Sequence, residues 1–264
     1  MLKVLTIAGS DSCSGAGIQA DLKTISSLGG YGLCVITAVT AQNTRQVSAV
    51  QEINPNIVKA QLEAIFNDIP IDAVKIGMLY SPEIIKITAS FLKQINPSIP
   101  VVLDPVMVAK SGDSLLKKEA VSRMVEELFP LSTVITPNLP EAEVLLGYPL
   151  KNISDMEKGA AKLLEKGSKW VIIKGGHLPE NPIDIIAGEN GIHHLFGEKI
   201  PVESPHGTGC TFSSALAYYL AREKDIVKAA QKAKQYVEKT IKESFTPGKG
   251  SRILNHFPNN KEGL

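Results

Sequence analysis

The segment Lys3-Val4-Leu5-Thr6-Ile7-Ala8-Gly9-Ser10-Asp11-Ser12-Cys13-Ser14-Gly15-Ala16-Gly17-Ile18-Gln19-Ala20 holds a strand, a loop and the start of a helix. Lys3–Gly9 is a short apolar run, which reads as a buried strand. Ile18–Leu28 has helical spacing and stops at Gly29-Gly30. The same alternation recurs outward along the chain. Strands are predicted at Leu33–Thr40, Ala73–Ile76, Pro100–Asp104, Thr133–Thr136 and Trp170–Lys174. Helices are predicted at Asn56–Ile69, from Ser81-Pro82-Glu83 to Gln94, at Leu115–Phe129, from near Pro140, and at Asp155–Lys166, Thr211–Arg222 and Ile226–Lys242. Asp184–Ala187 and Ile192–Leu195 flank Gly188-Glu189-Asn190-Gly191 and read as an antiparallel hairpin. This order specifies an α/β fold with a mostly parallel central sheet, helices on both faces and a small antiparallel hairpin.

The chain has 264 residues, with 28 Lys+Arg against 27 Asp+Glu and a net charge of +1. That balance lacks the electrostatic footprint of a nucleic-acid binder. The 7 Phe, 6 Tyr and 1 Trp leave little material for base stacking. The cysteines, Cys13, Cys34 and Cys210, show neither a disulfide framework nor metal spacing, so a cytoplasmic setting is expected. Met1–Gly9 is too short for a signal peptide, and no window approaches the ~18 apolar residues of a membrane span. With no linker or repeat, residues 1–264 read as one domain, the last few (258–264) as a frayed tail.

Three motifs carry chemistry. Gly15–Ala20 fits G-x-G-x-x-A, but Ser10–Ser14 separate it from the strand and the next strand ends Thr40-Ala41-Gln42 without a ribose-binding acid. A dinucleotide site is therefore disfavoured against a small-ligand loop or a structural turn. His206-Gly207-Thr208-Gly209-Cys210-Thr211 precedes an apolar helix, so its amides can form an anion hole, and Cys210 lies in a dipole field that favours thiolate. Its bland alternative is a flexible cap. Finally, Asp104, Asn138, Glu141 and Lys174-Gly175-Gly176-His177 follow predicted strand ends, where ligands of open α/β sheets bind. Two carboxylates, an amide and a lysine there suit a magnesium–nucleotide polyphosphate. The histidines show no zinc pairing, and His193-His194 reads as solvated surface. Met78 alone reads as core, and the lysines Lys228, Lys232, Lys234, Lys239 and Lys242 as a solvated helix face.

Together, Ala8–Thr24, Thr37–Thr44, Lys75–Leu79, Asp104–Leu116, Ile135–Gly147, Ile172–Leu178 and His206–Ala217 resemble the ribokinase superfamily. Within it the chain is similar to the hydroxymethylpyrimidine/phosphomethylpyrimidine kinases of thiamine biosynthesis, from about Leu5 to Phe257. The resemblance implies a ribokinase-like fold and two successive ATP-dependent phosphorylations of 4-amino-5-hydroxymethyl-2-methylpyrimidine. It implies a substrate pocket of Gly9, Ala16, Asp21, Gln42 and Met78, with Asn138, Lys174 and Thr208 at ATP. Mg2+ would be held near Asp104 and Glu141, largely through water. Gly207, Thr208, Gly209 and Cys210 would form the catalytic loop, with Cys210 where sugar kinases of the superfamily carry an aspartate base. A homodimer is expected by analogy, with no nucleic-acid or membrane partner.

Three departures stand out. Cys13-Ser14 replaces a usual Ser-Gly, which should stiffen the loop. Ser204-Pro205 replaces Asn-Thr, and Gly248–Phe257 is a loose form of a glycine-rich ending. The nearest rival is a pyridoxal kinase of the same branch, against which Ala41-Gln42-Asn43-Thr44 speaks. A non-catalytic pyrimidine-binding module and a nicotinamide dehydrogenase are weaker alternatives.

Overall fold

A computed structural model describes residues 1–107, 118–176, 182–202 and 205–258. The expectations that fall on His177, on Ser204, on Val108–Leu116, on the first turn of the 115–129 helix and on 259–264 lie outside these residues. Nine strands form one sheet in the order β3-β2-β1-β4-β5-β6-β7-β8-β9. They are β1 (Lys3–Asp11), β2 (Tyr31–Gln42), β3 (Val47–Glu52), β4 (Ala73–Ile76), β5 (Val101–Leu103), β6 (Val134–Ile135), β7 (Trp170–Ile173), β8 (Ile183–Gly188) and β9 (Gly191–Phe196). Strands β2, β1, β4, β5, β6 and β7 run parallel, while β3, β8 and β9 add antiparallel edges.

The pleat sorts side chains between two cores. Val4, Ala73, Val102, Val134 and Ile172 pack with α1 (Gly17–Ser27), α7 (Thr208–Glu223) and α8 (Ile226–Lys242). Their neighbours Leu5, Val74, Leu103, Ile135 and Ile173 pack on the other face. That face carries α2 (Pro55–Phe66), α3 (Pro82–Leu92), α4 (Lys118–Glu127), α5 (Leu139–Leu146) and α6 (Ile153–Leu164). Continuous apolar strands follow from this two-sided burial, which is why the parallel strands were legible. Strand β3 was not foreseen. None of its six residues is fully buried, so Val47-Ser48-Ala49-Val50-Gln51-Glu52 has no core-facing stripe. It exists because β2, which would otherwise be the sheet edge, offers a partner for its backbone.

Helix starts follow local chemistry. Ser81 caps α3 through Ile84 N–H, with Pro82 at the first helical position. Asn138 and Glu141 form a reciprocal capping box at α5. Since the parallel strands share a direction, Asp11, Gln42, Asp104, Asn138 and Lys174 reach one edge of the sheet.

Candidate active site

Strand β1 ends at Asp11, two residues beyond the predicted end, and this carboxylate organises the loop that follows. Its Oδ1 accepts from Cys13 N–H at 2.8 Å, and its Oδ2 from Gly15 and Ala16 N–H at 3.1 and 2.9 Å. Burial alone would raise its pKa, but the His206 contact and these backbone donors hold it below the usual carboxylate range. Ser14 sits at φ 62°, in the left-handed region that favours the glycine usual at this place in the resembled family, so the expected stiffening carries strain. At Gly17, φ is 58°, and a Cβ would collide with the Gly9 carbonyl.

Helix α7 begins at Thr208, three residues earlier than predicted, with Gly207 as its N-cap at φ 87°. Thr211 N–H makes the first helical bond back to the Gly207 carbonyl at 2.9 Å. The amides of Thr208, Gly209 and Cys210 therefore have no helical acceptor, as the anion-hole reading requires. A Cβ on Gly207 would strike the Gly15 carbonyl, so the two glycine segments touch. A Cβ on Gly209 would stand 3.2 Å from Lys174 Nζ and 3.4 Å from Asp104 Oδ2. Gly209 thus lets the helix end meet the charged strand ends.

There Lys174 Nζ pairs with Asp104 Oδ1 at 2.9 Å, and Thr136 Oγ1 donates to the same oxygen at 3.1 Å. Burial works against the lysine's charge, but Asp104 and Glu141 outweigh it and raise its pKa. Burial raises the Glu141 carboxyl to about 7, with Lys174 pulling the other way. Among the described residues no cluster of three or more metal-ligating side chains exists. Two hard-oxygen donors suit a magnesium ion that keeps waters and phosphate oxygens in its shell, so the residues fit that ion and not a protein-enclosed site.

A cleft of about 490 Å³ joins these parts, lined among others by Gly9, Ala16, Gln42, Met78, Lys174 and Cys210. A second, of about 360 Å³, is walled by Ile200, Val202, Phe212, Val237 and Ile241, and shares Asn138, Lys174, Thr208 and Gly209 with the first. The helix end therefore lies between two pockets.

A family model described as phosphomethylpyrimidine kinase matches residues 11–255. The chain belongs to the phosphomethylpyrimidine kinase family. It is 43% identical over 257 residues to the hydroxymethylpyrimidine/phosphomethylpyrimidine kinase of Rhizobium meliloti, covering 96% of each chain. It is 46% identical to the thiamine biosynthesis bifunctional protein ThiED of Geobacter sulfurreducens, of which it spans only 52%. A Schizosaccharomyces pombe relative, a putative hydroxymethylpyrimidine/phosphomethylpyrimidine kinase 2, is likewise spanned over 49% of its length. Among solved structures, phosphomethylpyrimidine kinase from Clostridium difficile matches with TM-score 0.81 and 47% identity, over 91% of this chain and 100% of that one. Pyridoxal kinase from Staphylococcus aureus, solved with ADP, matches with TM-score 0.91 and 37% identity, over 99% of this chain and 96% of that one. The ribokinase-like α/β architecture expected from the sequence is thereby shown.

Of the residues the family resemblance pointed to, Gly9, Ala16, Gln42, Met78, Asp104, Asn138, Glu141, Lys174 and Gly207–Cys210 all line the first cleft. A Cβ on Gly9 would lie 3.0 Å from Met78 Sδ, and Thr37 Oγ1 fixes the Met78 carbonyl at 2.6 Å. Met78 is thus pocket wall and not only core.

Three expectations are corrected by the geometry. Asp21 is fully buried below the cleft and absent from its lining. Its oxygens are occupied by Lys75 Nζ at 2.8 and 3.0 Å, Thr6 Oγ1 at 2.5 Å and Ser214 Oγ at 2.7 Å, leaving no lone pair aimed at a substrate. Desolvation pushes the Cys210 thiol up to about 11, outweighing Lys75 and the Gly17 N–H, and so works against the thiolate that the helix dipole favours. Lys234 is not on a solvated face: it is buried, with Nζ 2.7 Å from Asp184 Oδ2, in the wall of the second cleft.

Two site residues escaped the sequence reading. Lys75 lines the cleft from inside Ala73-Val74-Lys75-Ile76, a fully buried strand, and a charge in such a run is itself a signal because buried charges need partners. Lys234 could have been found from its position on the apolar stripe of Ile226, Ala230, Ala233, Val237 and Ile241.

Proposed function

We propose that this chain phosphorylates 4-amino-5-hydroxymethyl-2-methylpyrimidine with ATP, and then phosphorylates the monophosphate to the diphosphate, in thiamine biosynthesis. The observation that carries this reading is the arrangement of two pockets around one helix N-terminus. The first, walled by Gly9, Ala16, Gln42 and Met78, suits a small aromatic with hydrogen-bonding edges. The second has apolar walls and the lysines Lys174, Lys199 and Lys234, which suits a nucleotide. Between them the free amides of Thr208, Gly209 and Cys210, with Lys174, suit the transferring phosphoryl group.

In this reading the amides and Lys174 take up charge on the equatorial oxygens, while Asn138 offers its side-chain N–H groups. Asp104 and Glu141 would hold Mg2+, which when bound would supply charge neutralisation on the polyphosphate. Cys210 enters as a neutral group that positions the substrate hydroxyl. Phosphoryl transfer through a loose transition state rests on positioning and charge stabilisation, so a strong base is not required. The homodimer stays part of the reading, and light scattering on the purified protein tests it.

A second reading, pyridoxal phosphorylation, is favoured by the likeness to Staphylococcus aureus pyridoxal kinase. ADP release from magnesium-ATP, run separately with hydroxymethylpyrimidine, its monophosphate and pyridoxal, decides between them. Turnover of both pyrimidines is expected; turnover of pyridoxal alone would overturn the assignment.

A further inference from the structure

Gln42, at the end of β2 in the wall of the first cleft, carries both a donor and an acceptor on a single planar edge, and what holds that edge is unusual. Its Nε2 lies 3.0 Å from His206 Nε2, and its Oε1 lies 3.2 Å from Thr40 Oγ1. The same His206 Nε2 lies 3.1 Å from Asp11 Oδ2. Two nitrogens facing each other are compatible only if one is a bare acceptor.

Asp11 decides which nitrogen carries the proton. Its carboxylate is ionised and can only accept. A bare His206 Nε2 at that distance would set lone pair against lone pair, so Nε2 bears the hydrogen and donates to Asp11. It then cannot accept from Gln42. A half-turn of the carboxamide about its last bond, which moves no other atom, brings the carbonyl oxygen to His206 and the amide nitrogen to Thr40. The rest of the network then closes without conflict. Thr40 Oγ1 accepts from Gln42 and sends its own proton to the Ser10 carbonyl at 3.2 Å.

The imidazole is itself clamped. A Cβ on Gly15 would stand 2.5 Å from His206 Cδ2, so only glycine lets the loop lie against the ring. His206 N–H donates to the Arg252 carbonyl at 2.8 Å, and Ser251 N–H to the Thr44 carbonyl at 2.7 Å. Hence the glycine loop, the end of β2 and the carboxy-terminal segment meet at one ring.

We propose that Asp11 and His206 are positioning residues that fix the sense of the Gln42 carboxamide and so make the pocket selective for a cyclic amidine edge. A 4-aminopyrimidine presents a ring nitrogen beside an exocyclic amine. The fixed carboxamide donates its second N–H to the ring nitrogen and accepts from the amine with the free lone pair of its carbonyl. This pairing works in one direction only, so it also sets which way the ring, and therefore its hydroxymethyl group, points. The inference deepens the kinase reading above and rests on it.

The test compares hydroxymethylpyrimidine with its des-amino analogue, each titrated by competition on wild type, Gln42→Ala, His206→Leu and the double variant. The expected preference for the amino compound falls about tenfold in His206→Leu, the worth of one well-placed hydrogen bond, while the KM for ATP stays within about twofold. Gln42→Ala removes the preference, and adding His206→Leu changes it no further, since the histidine acts through the glutamine. Equal loss of affinity for both compounds in His206→Leu would overturn the inference and leave that residue a purely structural role. If Gln42→Ala keeps the preference while ADP release persists, the inference falls and the kinase reading stands. If wild type releases no ADP with hydroxymethylpyrimidine, the reading itself fails. Independently of any variant's folding, histidine ¹⁵N shifts of the wild-type protein must show a proton on His206 Nε2. A bare Nε2 there overturns the assignment.

Discussion

At the scale of the residue, burial sets the chemistry of Cys210 and Glu141, and a backbone angle sets the stability of Ser14. A thiol at about 11 is a poor acceptor for an alcohol proton. Cys210→Ala is therefore expected to slow the first phosphorylation about tenfold, below the roughly 100-fold floor for losing a general base. The second phosphorylation should lose less, because its acceptor is already a phosphate. Equal losses in the two steady-state rates would show that the side chain only shapes the loop. Glu141, raised to about 7, must shed its proton to face a cation. Affinity for magnesium-nucleotide should thus fall by up to about tenfold per pH unit below 7 and level off above it. Calorimetry at pH 6.5 in two buffers of different ionisation enthalpy should register a fraction of a proton released, and no buffer dependence would refute it. Ser14→Gly should stabilise the fold by roughly 0.5–1 kcal/mol, read as a higher thermal midpoint, because relief of left-handed strain exceeds the added freedom of the unfolded chain.

At the scale of the element, α8 contributes a charge to a site that the sequence reading assigned to α7 and the strand ends. Lys234 faces Asp184 of β8, whose other oxygen accepts Gly175 N–H at 2.9 Å, so this pair also holds the turn after Lys174. Removing the lysine alone strands a buried carboxylate. Lys234→Ala should cost about 3 kcal/mol in urea unfolding, and Lys234→Ala with Asp184→Asn should recover part of it. Both variants should weaken ATP binding, since the second cleft loses one of its lysines either way. Full ATP affinity in the double variant would mean that Lys234 serves the fold only. Strand β3 is the opposite case. Its pattern carried no signal because edge strands need only one partner and little burial, so tertiary pairing, not propensity, makes it a strand.

At the scale of the whole molecule, the carboxy-terminal segment closes back on α7 and α8 through a buried histidine. His256 Nε2 lies 3.0 Å from Thr211 Oγ1, in the first turn of α7, and Tyr236 hydroxyl donates to the His256 carbonyl at 2.7 Å. Burial, helped by Lys23, lowers the His256 pKa to about 4. Between this value and the ordinary one near 6.5 the unfolded chain binds more protons than the folded one. Stability therefore rises with pH across that window and is lost as pH falls from about 6.5 towards 4, by on the order of 2–3 kcal/mol. Urea unfolding of wild type and His256→Asn at pH 7 and pH 5 checks this. The variant should be less stable at pH 7 and lose less on acidification. Parallel curves would show that other groups carry the dependence.

By itself the sequence determined the parallel strands, most helices and the loops that carry chemistry, because apolar runs, caps and glycine spacing are local features of the chain. It also brought Asp104, Asn138, Glu141 and Lys174 to one edge, since parallel strands share a direction. Only the tertiary structure decided what each group does there. Asp21 spends its oxygens on Lys75, Thr6 and Ser214, three partners far apart in sequence. The Cys210 thiol answers to the desolvation and the neighbouring charges of the cleft more than to the first turn of the helix that carries it. Lys234 looked solvated until β8 placed Asp184 against it. Electrostatic character depends on burial and on distant neighbours, and neither is written in local pattern.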